Sequence, residues 1–354
     1  MVVRRGGPRR RAARRALLRA GRRGVLAGLA GTGAAALLAA CAPDAGPGAA
    51  AGPSAGSPGT PSGTAPTAGG GAPSSPSAGG SSATSGPAPV AELPGGGTTL
   101  FPSRRMVALY GTPGTPALGL LGEQDVEAAL DRVRELAARY QPFSAEPVRP
   151  AFEIIATVAT AAPGPGGHYS TPVEPGRLRR WVEAAGAADT YVVLDLQPGT
   201  QDFPSQARTL EDLLVLPHVG LALDPEWRLR PGQRHMEQVG QVSAAEVNEV
   251  TGWLAELAAE HRLPQKLVIL HQFQRRMVPD RHRVVSRPGL ALLVHADGHG
   301  TPGQKQETWR SLKRDLPQGM RLGWKNFIDE DVPTLTPEET MTTVRPQPWF
   351  VSYQ

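Results

Sequence analysis

Eight short apolar runs recur between residue 106 and the C-terminal residue of this chain, and their spacing restricts the fold more than any other feature. They cover 106–110, 152–158, 191–196, 219–223, 267–271, 290–295, 320–324 and 349–353. Each has strand length, and within each the apolar residues are continuous rather than alternating with polar ones. That is the pattern of parallel strands buried on both faces. Helix-period segments separate them. Over 124–140, Val126, Leu130, Val133 and Ala137 fall on one stripe, and over 177–185 Leu178, Trp181 and Val182 do the same. Ser243-Ala-Ala-Glu246 has the form of a capping box opening a helix to about residue 261. Thr336-Pro337-Glu338-Glu339 is a second, with proline at the first helical position. Shorter helical stretches occupy 210–216 and 308–316, while 274–288 is basic and irregular. Strands alternating with helices predict an α/β chain, and eight of them predict a closed (β/α)8 barrel over 98–354. The competing arrangement is a doubly wound open sheet, but no glycine-rich dinucleotide fingerprint follows any of the runs.

The residues before 98 read differently. Ten arginines lie between Arg4 and Arg23, followed by an uncharged Gly/Ala-rich stretch too short for a membrane span. Residues 1–40 are therefore expected to be a signal peptide. Leu38-Ala39-Ala40-Cys41 resembles a bacterial lipobox, which implies lipidation of Cys41, the one cysteine of the chain, and attachment to the extracytoplasmic face of the cell membrane. Arg22-Arg23-Gly24-Val25-Leu26 resembles a twin-arginine export signal. Residues 41–97 are Pro, Gly, Ser, Ala and Thr with almost no charge, and cannot bury enough apolar surface to order themselves. They are expected to be a disordered, lipid-anchored linker. Without its leader the chain changes from a formal net charge of +5 to −5, with 27 Lys+Arg against 32 Asp+Glu. The basic balance belongs to the signal and gives no reason to expect a nucleic-acid partner. The barrel is expected to be monomeric.

In (β/α)8 barrels chemistry gathers where the strands end and the βα loops begin. The C-terminal ends of these runs are polar in an unusual degree. They carry Tyr110; Asp195 and Gln197; Asp224, Glu226 and Trp227; His271 and Gln272; His295 and Asp297; Trp324, Lys325 and Asn326; and Ser352 and Tyr353. Few polar residues stand at the opposite ends. Asp224 and Glu226 straddle Pro225, which ends the strand, and alternation places both on one face. Each residue also has a structural alternative. Asp195 could cap a loop, Asp224 and Glu226 could pair with Arg228 or Arg230, His271 and His295 could be satisfied core histidines, and Trp324 could be packing.

Leu223-Asp224-Pro225-Glu226 resembles the Asp-x-Glu strand end of barrel glycoside hydrolases, the lysozyme-like and chitinase-like families among them. More broadly the chain resembles actinobacterial lipoproteins. The hydrolase resemblance implies that the glutamate is the general acid and the aspartate its helper. The chain departs from those families where Gly220 and Ala222 replace further aspartates, and where Tyr110-Gly111 replaces an aspartate at the first strand's end. The leading expectation is a surface-anchored glycoside hydrolase. Glu226, Asp224 and Asp195 would be its catalytic carboxylates. Tyr110, Gln197, Trp227, His271, Gln272, His295, Asp297, Trp324, Lys325 and Tyr353 would bind the glycan. No metal or cofactor is expected on this reading. Two alternatives stay open. One is a metal-dependent hydrolase using Asp195, Asp224, His295 and Asp297. The other is a non-catalytic lipoprotein that binds envelope carbohydrate.

Overall fold

Hydrogen bonding between the first and second strands closes the sheet on itself. The computed structural model describes residues 90–354, apart from Pro165. Its strands are β1 (Arg105–Gly111), β2 (Val148–Ala159), β3 (Ser170–Pro172), β4 (Tyr191–Leu196), β5 (Val219–Leu223), β6 (Lys266–Gln272), β7 (Leu290–Ala296), β8 (Arg321–Asn326) and β9 (Phe350–Tyr353). The order runs β1-β9-β8-β7-β6-β5-β4-β2, and β1 pairs again with β2. All eight of these strands are parallel to their neighbours. The short β3 is an addition the apolar pattern did not predict; it pairs antiparallel with the end of β2. The expected signal peptide, Cys41 and most of the expected linker lie outside the described residues. Among those described, no helix is long and apolar enough to cross a membrane.

The main crossover helices are α1 (Val126–Tyr140), α2 (Pro175–Ala187), α3 (Phe203–Arg208), α4 (Glu211–Leu214), α5 (Ala244–Glu260), α6 (Pro302–Lys313) and α7 (Pro337–Thr343). Thr336 and Glu339 form the reciprocal capping box expected of α7. The box expected at α5 is only half made. Ser243 accepts from the Glu246 amide, but the Glu246 carboxylate is taken by Arg228 and by the Phe203 amide. Helix α6 starts at Pro302, ahead of the expected 308, because Thr301 and Gln304 supply a capping box of their own. The irregular 274–288 segment is held by buried Arg281, whose guanidinium donates to Gln272 Oε1 and to the carbonyls of Leu312 and Arg314 at the end of α6.

Alternation along each strand divides the core in two. Val107, Leu109, Phe152, Val192, Leu194, Leu221, Val268, Leu292 and their kin face the helices. Met106, Ala108, Ala151, Tyr191, Val193, Ala222, Leu267, Ile269, Ala291, Leu293 and Phe350 fill the lower lumen, and Leu93, Leu100 and Phe101 close it from below. Folded contacts thus begin before residue 98, inside the expected linker. The lower end is also less apolar than expected. Arg104, Arg105 and Lys266 are buried there. Carbonyls accept from each of them, Pro94 and Gly96 from Arg104, Pro348 from Arg105, and Leu216 and Val219 from Lys266; Arg105 also pairs with Glu146, while Arg104 Nε is left without a hydrogen-bond partner among the described residues.

Candidate active site

The inward positions above the apolar layers are almost all ionisable. Continuing the alternation from Ala108, Ala151, Val193, Ala222, Ile269 and Leu293 brings Tyr110, Glu153, Asp195, Asp224, His271 and His295 into the lumen. Asp297, Lys325 and Ser352 join them from the ends of β7, β8 and β9. All are buried, with Asp224 2 % exposed and Glu226, nearest the mouth, 7 %. At Gly323 a Cβ would stand 2.5 Å from His295 Nδ1, so only glycine leaves room for that ring.

The strand at Asp224 ends as expected, but the peptide then tightens into a 3-10 turn over Pro225–Trp227, capped by Asp224 accepting from the Glu226 amide at 3.2 Å. Despite the turn, Asp224, Glu226 and Asp297 each place a carboxylate oxygen within 4.8 Å of the others. Neither Arg228 nor Arg230 takes the pair. Arg228 binds Glu246, and Arg230 reaches Gln241. Asp297 is met by Lys325 Nζ at 3.1 Å and by His271 Nδ1 at 3.3 Å. His271 Nε2 lies 3.0 Å from Glu153 and 3.8 Å from Asp195. Asp195 accepts from the Tyr110 hydroxyl at 2.8 Å, and Lys325 Nζ sits 3.4 Å over the Tyr110 ring.

Electrostatics separate these groups. Burial, reinforced by Asp195, Glu226 and Asp297, pushes Asp224 well above the usual carboxylate range, and the opposing pull of His271 does not cancel it. Burial likewise lifts Asp195 to about 6, although His271 and Tyr110 oppose it. Glu153 goes the other way. Burial would raise it, but His271 beside it outweighs that and lowers it. For His271 burial disfavours charge, yet Glu153, Asp195 and Asp297 together hold the ring well above its ordinary range. Burial drives His295 down to about 3, so it is neutral.

Several expected site residues stand elsewhere. Trp324 and Tyr353 belong to the core between barrel and helices, because strand parity turns them outward. Trp324 packs on Trp309 of α6, and the Tyr353 hydroxyl lies 2.6 Å from that of Tyr140 in α1. Gln272 also faces out, toward Arg281. Gln197 braces the rim, accepting from the Ala159 amide and standing 3.5 Å from the Tyr110 hydroxyl. Trp227 is half-buried and packs against His235, 5.2 Å between ring centroids, which in turn meets Tyr169. Tyr169 and His235 lie in loops with no strand pattern to mark them. Glu153 is the principal omission. It lies inside an apolar run rather than at its end, and its one signal is a single charge between Phe152 and Ile154.

Two familiar arrangements do not form. His295 Nε2 lies 2.7 Å from Ser352 Oγ, but its nearest carboxylate, Glu153, faces the same nitrogen at 3.9 Å, so the three groups are no nucleophilic triad. The four ligands expected of a metal-dependent hydrolase do not converge. Among the described residues the carboxylates that do are Asp224, Glu226 and Asp297, and an incoming cation would compete with Lys325 for Asp297.

Fold and lumen together define a parallel (β/α)8 barrel with an acid-rich C-terminal mouth. No protein-family model and no curated protein matches the chain. Among solved structures it is similar to a xylanase and α-amylase inhibitor protein, XAIP-I, determined with trehalose, at a TM-score of 0.43 and 12 % identity over 70 % of this chain and 92 % of that one. It is also similar to XAIP-II from Scadoxus multiflorus, at 0.38 and 11 % over the same shares. The barrel itself is established by its own strand pairing.

Proposed function

We propose that this protein is a surface-anchored lipoprotein whose barrel hydrolyses glycosidic bonds in cell-envelope or environmental glycans. The observation that carries the reading is the convergence of Asp224, Glu226 and Asp297 within 4.8 Å at the strand ends. Like charges so close in a buried site cannot all ionise freely, so the Asp224–Glu226 pair retains a proton near neutral pH. The more exposed Glu226 delivers that proton to the glycosidic oxygen as the bond to the anomeric carbon breaks. Water supplies hydroxide to the anomeric carbon and returns its proton to a carboxylate, with Asp195 as the second acid or base. One oxygen of Asp224 and one of Glu226 lie within 4.8 Å, and on this reading Asp224 helps Glu226 keep its proton rather than acting as the nucleophile.

The depth of the site favours a second reading, a binding protein without turnover. His271 and Asp195 are fully enclosed, and only Glu226 approaches the surface. A panel of β- and α-linked glycans incubated with the purified protein separates the two. New reducing ends support hydrolysis; saturable binding with no cleavage supports the binder and overturns the enzyme.

A further inference from the structure

Glu153 sits in the middle of β2, registered between Tyr110 of β1 and Val193 of β4, and is wholly enclosed. Neither of its carboxylate oxygens has a well-aligned hydrogen-bond donor among the described residues. Its nearest partners are two imidazoles, His271 Nε2 at 3.0 Å and His295 Nε2 at 3.9 Å. His295 is already engaged through that same nitrogen by Ser352. The close partner is therefore His271, whose other nitrogen faces Asp297 at 3.3 Å. These contacts are close in distance and imperfectly aligned as hydrogen bonds.

A neutral imidazole has one N–H, and an ionised carboxylate only accepts. A ring with a carboxylate on each nitrogen is satisfied on both sides only when both nitrogens carry hydrogen. The groups around His271 are Tyr110 from β1, Glu153 from β2, Asp195 from β4, Asp224 at the end of β5, His295 from β7 and Asp297 just beyond it. Lys325 of β8 bears on the ring through Asp297. Acids predominate in that shell, and Glu153 is the one closest to the ring.

We infer that Glu153 is a positioning residue: it holds His271 as a doubly protonated ring, and that ring fixes Asp297 against the Asp224–Glu226 pair. Glu153 has no exposed surface and meets the site chiefly through His271, with His295 farther off at 3.9 Å, so it is not itself catalytic. The inference depends on the hydrolase reading for its purpose and on the lumen geometry for its content. The carboxylate one layer below the rim sets the hydrogen count of the layer above it.

The test needs no substrate. Long-range proton–nitrogen correlation spectra of the folded, nitrogen-15-labelled protein report each histidine ring, with His271→Asn supplying the assignment. In the wild type at pH 7, both His271 nitrogens should resonate in the protonated range. In Glu153→Gln the ring should lose one hydrogen, moving one nitrogen into the bare-nitrogen range, and Glu153→Asp should restore at least part of the wild-type signature. A wild-type His271 with one bare nitrogen overturns the inference even if the variants fail to fold. So does a folded Glu153→Gln protein whose His271 stays doubly protonated. The hydrolase reading fails separately: a doubly protonated His271 in a protein that cleaves no glycan leaves this inference standing, whereas cleavage with a neutral His271 removes it.

Discussion

Lys325 Nζ lies 3.1 Å from Asp297 Oδ1 inside the barrel, each side chain 1 % exposed. A buried ion pair adds little over an apolar pair, but removing one member strands the other. Lys325→Met should therefore destabilise the fold, by less than the roughly 3–5 kcal/mol of a fully stranded charge because His271 still faces Asp297, read by urea unfolding at pH 7. Adding Asp297→Asn should recover much of that loss. Equal or additive losses in the double variant would mean that the two residues do not compensate each other.

Asp195 contributes a pH dependence of definite sign. Its carboxyl is raised from 3.8 to about 6 in the fold, first by burial. The folded state then binds the proton more tightly than the unfolded chain, so this contribution is present in full below pH 3.8 and is lost as pH rises through 6. Two units correspond to at most about 3 kcal/mol. Asp195→Asn should flatten the stability profile between pH 4 and 6, measured by thermal unfolding across that range. An unchanged slope would show that Asp195 keeps an ordinary carboxyl.

Lys266 behaves oppositely. Burial lowers its ammonium from 10.5 to about 7. Between those values the unfolded chain holds more protons, so stability rises with pH and the cost of burying the charge is greatest at and below pH 7. Lys266→Met removes one donor from the Leu216 and Val219 carbonyls at every pH, although Leu216 keeps the Val219 amide. The difference between variant and wild type should nonetheless move in the variant's favour by on the order of a few kcal/mol as pH falls from 10.5 to 7. Chemical unfolding at the two ends of that window checks it.

If Glu226 delivers the proton, Glu226→Gln should lower turnover by about 10²–10⁴-fold while ligand affinity and melting temperature stay close to wild type. Turnover that falls only in proportion to the folded fraction would assign Glu226 a structural part.

Cys41→Ala should release the protein from the membrane fraction or stall its processing, checked by fractionation and by the mass of the N-terminal peptide. A processed variant that still sediments with membranes would remove the anchor from the proposal.

The barrel was legible because its strands are apolar throughout. Runs such as 191–196 and 219–223 coincide with β4 and β5 residue for residue. The mouth was legible where parity and strand ends agree, as at Asp195, Asp224 and His271. It was misread where the end of a run was taken as the rim without asking which way the side chain turns. Trp324 and Tyr353 stand beside Lys325 and Ser352 in sequence, yet one step along a strand reverses the face. Glu153 escaped because its role comes from His271, 118 positions away, a pairing that only closure of the sheet creates.

The floor formed by Leu93, Leu100 and Phe101 has a directional consequence. The chain enters the barrel from beneath, at the end opposite Glu226, with the Ala91 amide bonded to the Arg262 carbonyl and the Thr98 carbonyl to the Gln265 amide. A load applied at residue 90 itself, whether a bead or a fused domain, pulls on the closed end. A barrel that begins at residue 90 can therefore be fixed to a surface at its floor, opposite Glu226, and in that form it should accept ligand as readily as the same protein free in solution.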